Sequence, residues 1–89
     1  MTISSDIKTA IEKNMELMIN QTKAYLPFLK LAFPAVQNIS DWTFNMMVGN
    51  ALTVFVSQLA MRMQSPSASD FTEFGQIVEA YRSKVKELF

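Results

Sequence analysis

The chain has 89 residues, no cysteine and no histidine, and its eight basic and eight acidic side chains cancel. Those counts allow one small core, exclude disulfides, thiolate nucleophiles and Cys-ligated metals, and remove the usual general base and the commonest metal ligand. The balanced charge also removes the long-range pull toward nucleic acid or an anionic membrane, and no basic cluster longer than Arg82, Lys84, Lys86 exists to restore a nucleic-acid reading.

With two glycines, three prolines and no strand-like alternation, the whole chain reads as helix. The opening MTISSDIKTAIEKN lacks a basic region followed by an apolar stretch, so no secretory signal is expected and a cytoplasmic protein is the default. Ser4 or Ser5 can cap the first helix, with Asp6 in the first turn, where the helix dipole favours a negative charge. Ile7, Ile11, Met15, Met18, Thr22 and Tyr25 then form one amphipathic stripe, leaving Lys8, Glu12, Lys13, Glu16 and Lys23 largely outside it. Pro27 and Pro34 bracket FLKLAF. Each removes a backbone donor and disfavours helix just before it, predicting breaks near Leu26 and Phe33 and a short helical segment over Phe28–Phe33.

Ser40 and Asp41 predict the start of a central helix reaching Met63. Asp41 is the one charge between Lys30 and Arg62, and nothing from Trp42 to Met61 is charged. On a helical wheel, Phe44, Met47, Val48, Ala51, Leu52, Val54, Phe55, Val56, Leu59 and Met63 cover an arc of roughly 200°, wider than one small bundle requires. The remaining face carries Thr43, Met46, Asn50, Thr53, Ser57, Ala60 and Gln64, alternating steps of three and four. That is heptad spacing built from small and polar residues. A membrane span fits the length of the segment, but two asparagines and a glutamine within it weigh against insertion. Gly49 inside the helix costs roughly 1 kcal/mol against alanine, and signals either close backbone packing or neutrality.

SPSAS, residues 65–69, is the clearest loop. Ser67 or Ser69 with Asp70 and Glu73 predicts a helix start, and the last helix is expected from Asp70 to about Leu88. Phe71, Phe74, Ile77, Val78, Tyr81, Val85 and Leu88 mark its buried stripe, with acidic residues at its start and Lys84 and Lys86 near its end.

Chemistry-bearing patterns are sparse. Isolated Gly49 and Gly75 cannot build a phosphate loop. Glu12 with Glu16 and Asp70 with Glu73 share helix faces, as an acid/base pair or a hard-cation site would, but capping and solvated surface explain them equally. Asp41 and Arg62 flank the uncharged run and could pair across a dimer. Seven methionines and seven phenylalanines suit either a loosely specified core or an adaptable apolar surface.

The stretch LAMRMQSPSASDFTEFGQIVEAYRSKVKELF resembles the phasin pattern: an apolar helix, a short Ser/Pro break, an acidic-aromatic helix start, then an amphipathic helix. Pro66, Phe71, Phe74 and Gln76 match that pattern in kind, over about a third of the chain. The resemblance implies a non-catalytic, self-associating coat protein that adsorbs to polyhydroxyalkanoate granules.

The expectation is therefore an all-α bundle spanning residues 1–89, with three main helices and a proline-bounded short helical segment after the first. Its expected role is non-catalytic: a self-associating, homo-oligomeric module that binds a protein or an apolar surface, with no cofactor, metal or catalytic residue. Trp42, Met46, Asn50, Thr53, Phe55 and Ser57 are the expected interface residues. A phasin-like granule protein, and a phage- or toxin-system inhibitor such as an immunity protein forming a one-to-one complex, are the alternatives.

Overall fold

A computed structural model describes residues Thr2–Phe89; Met1, counted among the methionines above, lies outside them. Four helical pieces follow in order: α1 (Ser5–Ala32), α2 (Ile39–Met61), α3 (Ala68–Glu79) and α4 (Arg82–Lys86). α4 continues the direction of α3 after a tight turn at Ala80–Tyr81, where the Tyr81 N–H donates to the Val78 carbonyl and helical bonding resumes from Val85 to Tyr81. The result is a three-helix bundle whose third member is jointed. No strand occurs among the described residues.

α1 and α2 run antiparallel through the short turn between them. Asp6 near the start of α1 pairs with Arg62 just past the end of α2, and Asn14 donates to Asn50 at 2.8 Å midway. The jointed third helix, α3–α4, returns along both: Phe71 and Phe74 lie against Phe55, while Arg82 reaches Asp41 and the Phe44 ring near the start of α2. The core takes Ile7, Ile11, Met15 and Ile19 from α1, Phe44, Met47, Ala51, Phe55 and Leu59 from α2, and Phe74, Ile77, Val78, Tyr81 and Val85 from the jointed third helix. Most of these are the helical-period positions expected of each segment, but Ile19 is buried in place of Tyr25, which is exposed, Phe71 is also exposed, and Met18 and Leu88 are half-buried.

Three local expectations change. α1 does not break at Leu26 but continues through Pro27 to Ala32, so the segment between the prolines is its last turn and a half rather than a separate helix. Pro27 deletes one backbone bond, to Lys23, on an exposed part of the helix where no packed neighbour depends on it. Pro34 does end the helix: Phe33 before it turns to φ −129°, ψ 64°, while its N–H still closes on Leu29. α2 starts at Ile39, capped by Asn38 rather than Ser40, with the Asn38 side chain accepting from the Asp41 N–H at 3.1 Å. It stops at Met61, and Met63 lies beyond it with φ 56°.

The start of α3 follows expectation. The Ser67 hydroxyl accepts from the Asp70 N–H at 3.1 Å, and the Asp70 carboxylate accepts from the Ser67 N–H at 2.9 Å, a reciprocal capping box. The Ser67 N–H, and after it the Thr2 side chain, hold the Asp70 carboxyl below its ordinary value.

Candidate functional site

The face to examine is the side of α2 turned away from the core. Helical spacing places Phe44, Met47, Ala51, Phe55 and Leu59 on the inner side, and all five are buried. On the outer side Met46 is 40% exposed, and Gly49, Asn50, Thr53, Val56, Ser57 and Ala60 are all exposed. Within the described residues α2 is the helix long and apolar enough to cross a membrane, by length and composition only, yet just 28% of its most apolar stretch is buried in the fold. From Trp42 to Met61 the helix thus presents an uncharged outer face to its surroundings.

The expected interface residues divide into three groups. Met46, Asn50, Thr53 and Ser57 do come together on this outer face. Phe55 does not: it is fully buried, its ring stacked on Phe74 at 5.0 Å and edge-on to Phe71 at 5.9 Å. Its place is the core, because position 55 falls on the Met47–Ala51 side of the wheel, about 160° from Thr53 and Ser57. Trp42 is half-buried and packs on Phe33, ring centres 4.6 Å apart, so it pins the α1–α2 turn. The polar ladder also loses its ends. Thr43 is fully buried, its hydroxyl without a hydrogen-bond partner among the described residues, and Gln64 lies past the helix.

The arc that looked too wide for a small bundle narrows in the same way. Val48, Leu52 and Val54 are half-buried at its margin, while Val56 is 40% and Met63 96% exposed.

α1 supplies the neighbouring strip, which periodicity around the expected Pro27 break obscures. Asn14, Leu17 and Gln21, spaced three and four, lie on the flank of α1 next to α2; Leu17 is 53% exposed and Gln21 exposed. The Asn14–Asn50 bond joins this strip to the α2 ladder at its midpoint. The remaining Asn14 oxygen is buried without a donor among the described residues. Thr53 turns its hydroxyl back onto the Gly49 carbonyl at 3.3 Å, so its methyl is left outward.

Charges are kept off this surface by partners within the chain. Arg62 bonds Asp6 and the Gln58 carbonyl, the latter at 2.9 Å. Arg82 makes two contacts with Glu79 at 2.9 and 3.0 Å, one with Asp41 at 3.4 Å, and lies 4.3 Å from the Phe44 ring centre. Asp41 and Arg62, the pair that could have closed across a dimer, are each already engaged in their own protomer.

The candidate acid/base pairs are likewise occupied. Asp70 is in the capping box. Glu73 lies in an open groove of about 790 Å³ between α1 and α3, lined also by Lys8, Glu12, Thr72 and Gln76. One of its oxygens accepts from the Thr2 N–H at 2.8 Å, the Thr2 hydroxyl at 3.0 Å and the Ile3 N–H at 3.3 Å. Partial burial opposes the charge on Glu73, but those three donors outweigh it and the carboxyl ends below its ordinary value. That carboxylate clamps the N-terminal arm and seats Ile3 in the core. Glu12 and Glu16 act on Tyr81, whose hydroxyl is pushed up first by burial and then by their two negative charges. No group of three or more acidic side chains able to hold a metal ion occurs among the described residues.

Set against protein-family models, curated proteins and solved structures, the chain matches none of them.

Proposed function

We propose that this chain is a non-catalytic helical module that self-associates through the outer α1–α2 face, with Met46, Asn50, Thr53 and Ser57 of α2 and Leu17 and Gln21 of α1 meeting the same face of a second copy. The observation carrying this reading is the absence of charge from Trp42 to Met61 on a helix whose outer half is open. Solvated helix faces ordinarily carry Lys and Glu; depletion of charge at the centre of a patch is the compositional mark of an interface. Small side chains at heptad spacing allow two such faces to approach closely, and a polar asparagine among them sets register.

The dimensions fit. A strip two helices wide, about 20 Å, along the about 34 Å of α2 covers about 700 Å² per protomer, close to the ~800 Å² per partner of a standard interface. A face that meets itself about a twofold axis needs no second surface, so the assembly closes as a dimer.

Because the chain has no native cysteine, single-cysteine variants test the placement cleanly. Thr53→Cys and Ser57→Cys are expected to form interchain disulfides rapidly under mild oxidation, and Thr72→Cys, exposed on α3, slowly. Equal rates at all three positions would refute the α2 face as the contact.

A further inference from the structure

The other unexplained surface is the far end of α1. Its buried residues are Ile7, Ile11, Met15, Ile19 and Thr22, and none follows Thr22, although the helix continues to Ala32. Asp6–Arg62 and Asn14–Asn50 set the start of α2 opposite about residues 25–29 of α1, so the last turn or two of α1, about 5–10 Å, extends past α2, with Leu26 and Leu29 half-buried. It is not polar. Tyr25 and Phe28 are each 61% exposed, Leu31 77%, and Phe33 in the following turn 43%. Four large apolar side chains at one end of an 89-residue protein make a contiguous protrusion, which a helix freely solvated on all sides does not carry.

Charge is distributed toward the same end. The structure brings the close of α1, the start of α2 and α4 together there, through the Phe33–Trp42 and Arg82–Asp41 contacts. Residues 20–41 and 79–89, with Glu79 bonded to Arg82, hold five basic side chains, Lys23, Lys30, Arg82, Lys84 and Lys86, against three acidic ones, Asp41, Glu79 and Glu87. The rest of the chain holds three basic against five acidic side chains. A molecule of zero net charge is thus a dipole, basic at the apolar end. Arg82 is committed to Asp41 and Glu79, while the four lysines make no ion pair among the described residues. Lys23 and Lys30, seven residues apart, share the flank of α1 opposite Phe28, so at this end one side of α1 is apolar and the other basic.

We propose that this overhang is a docking tip for an anionic phospholipid surface. Tyr25, Phe28, Leu31 and Phe33 enter the boundary between headgroups and acyl chains. Lys23, Lys30, Lys84 and Lys86 lay their aliphatic stems along that boundary and meet the phosphates with their ammonium groups. Pro27 leaves the Lys23 carbonyl unbonded at the collar, at the polar level, and the end of α1 beyond it, whose last carbonyls lack helical partners, lies at headgroup depth. Phe28 lies on the same flank of α1 as Leu17 and Gln21, two turns beyond Gln21, so the tip adjoins the proposed dimer face, and a substitution confined to α2 is what separates the two.

Co-sedimentation of the full chain with vesicles tests this, comparing phosphatidylcholine alone, phosphatidylcholine with phosphatidylserine, and uncharged polyester particles. The expected result is pelleting with the anionic vesicles that weakens as salt is raised. Phe28→Asp and Leu31→Asp should each lower that binding at least about tenfold, and the double variant Lys23→Glu, Lys30→Glu by a similar factor. These positions are exposed, so unchanged circular dichroism and melting temperature are expected of each variant. Thr53→Glu, on the α2 face, should leave vesicle binding intact while removing any dimer, which separates failure of this proposal from failure of the self-association. Equal binding to neutral vesicles, preference for polyester particles, or anionic binding unmoved by Phe28→Asp and Leu31→Asp would each overturn it.

Discussion

Gly49→Ala separates the two meanings an interior helical glycine can have. Gly49 sits in the middle of α2 on the exposed side, at a φ that alanine adopts freely, and a Cβ built on it has no neighbour within 4 Å in its own protomer. Within one protomer the substitution therefore adds helix propensity and removes backbone freedom without a clash, a gain of about 0.8–1 kcal/mol. Against a total stability of about 4–13 kcal/mol for a chain of this size, that is a measurable fraction. It corresponds to a rise of about 4–8 °C in melting temperature. The assay is urea and thermal unfolding at protein concentrations low enough to hold the chain monomeric, followed by sedimentation at high concentration. If Gly49 lets a second copy approach closely, the added methyl overpacks the seam by about 1–3 kcal/mol and weakens association even as the monomer is stabilised. Gly75→Ala is the control: its Cβ also meets nothing, but it lies on α3, so it should stabilise without touching association. Loss of monomer stability in Gly49→Ala would refute the open outer face.

Phe55→Ala should cost about 3–5 kcal/mol, read as a shift in urea midpoint at constant slope, because it empties a fully buried site and removes both the stacked and the edge-on ring contacts. A change below about 1 kcal/mol would mean that Phe55 is not in the core. Acid should destabilise the fold through Asp6, Asp70 and Glu73, whose carboxyls are all held below their ordinary values. For such groups the native state favours the ionised form, so their contribution is complete above the usual carboxylate range and fades as pH falls through it toward the lowered native values. Glu73→Gln should flatten the fall in urea midpoint between about pH 5 and pH 3; an unchanged slope would show that the Thr2–Ile3 clamp contributes nothing.

The buried stripes were legible because burial and helical period coincide. The Ile7–Ile11–Met15 and Phe74–Ile77–Val78–Tyr81–Val85 series appear in the core as their spacing requires, and the Ser67–Asp70 cap lies where its side-chain chemistry places it. The failures have local causes. Pro27 reads as a break because proline usually disturbs packing as well as a bond, but here the proline itself is exposed and only the bond is lost, while Leu26 and Leu29 stay half-buried. Asn38 outcompetes Ser40 for the cap because its carbonyl side chain reaches the N–H three residues on. The joint at Ala80–Tyr81 has no sequence mark, since neither residue disfavours helix strongly. Phe55 is the one expected interface residue whose wheel position conflicts with that role, because its phase sets it with Met47 and Ala51. The tip stayed hidden because cutting α1 at Leu26 divided Tyr25 from Phe28 and Leu31.

Sedimentation equilibrium of the wild-type chain, at micromolar to submillimolar concentration in moderate salt, tests the self-association most directly. The account predicts a reversible monomer–dimer equilibrium with the dimer dominant at the upper end, shifted to monomer by Thr53→Glu without loss of helicity. A single 10.1 kDa species across the whole range would contradict it.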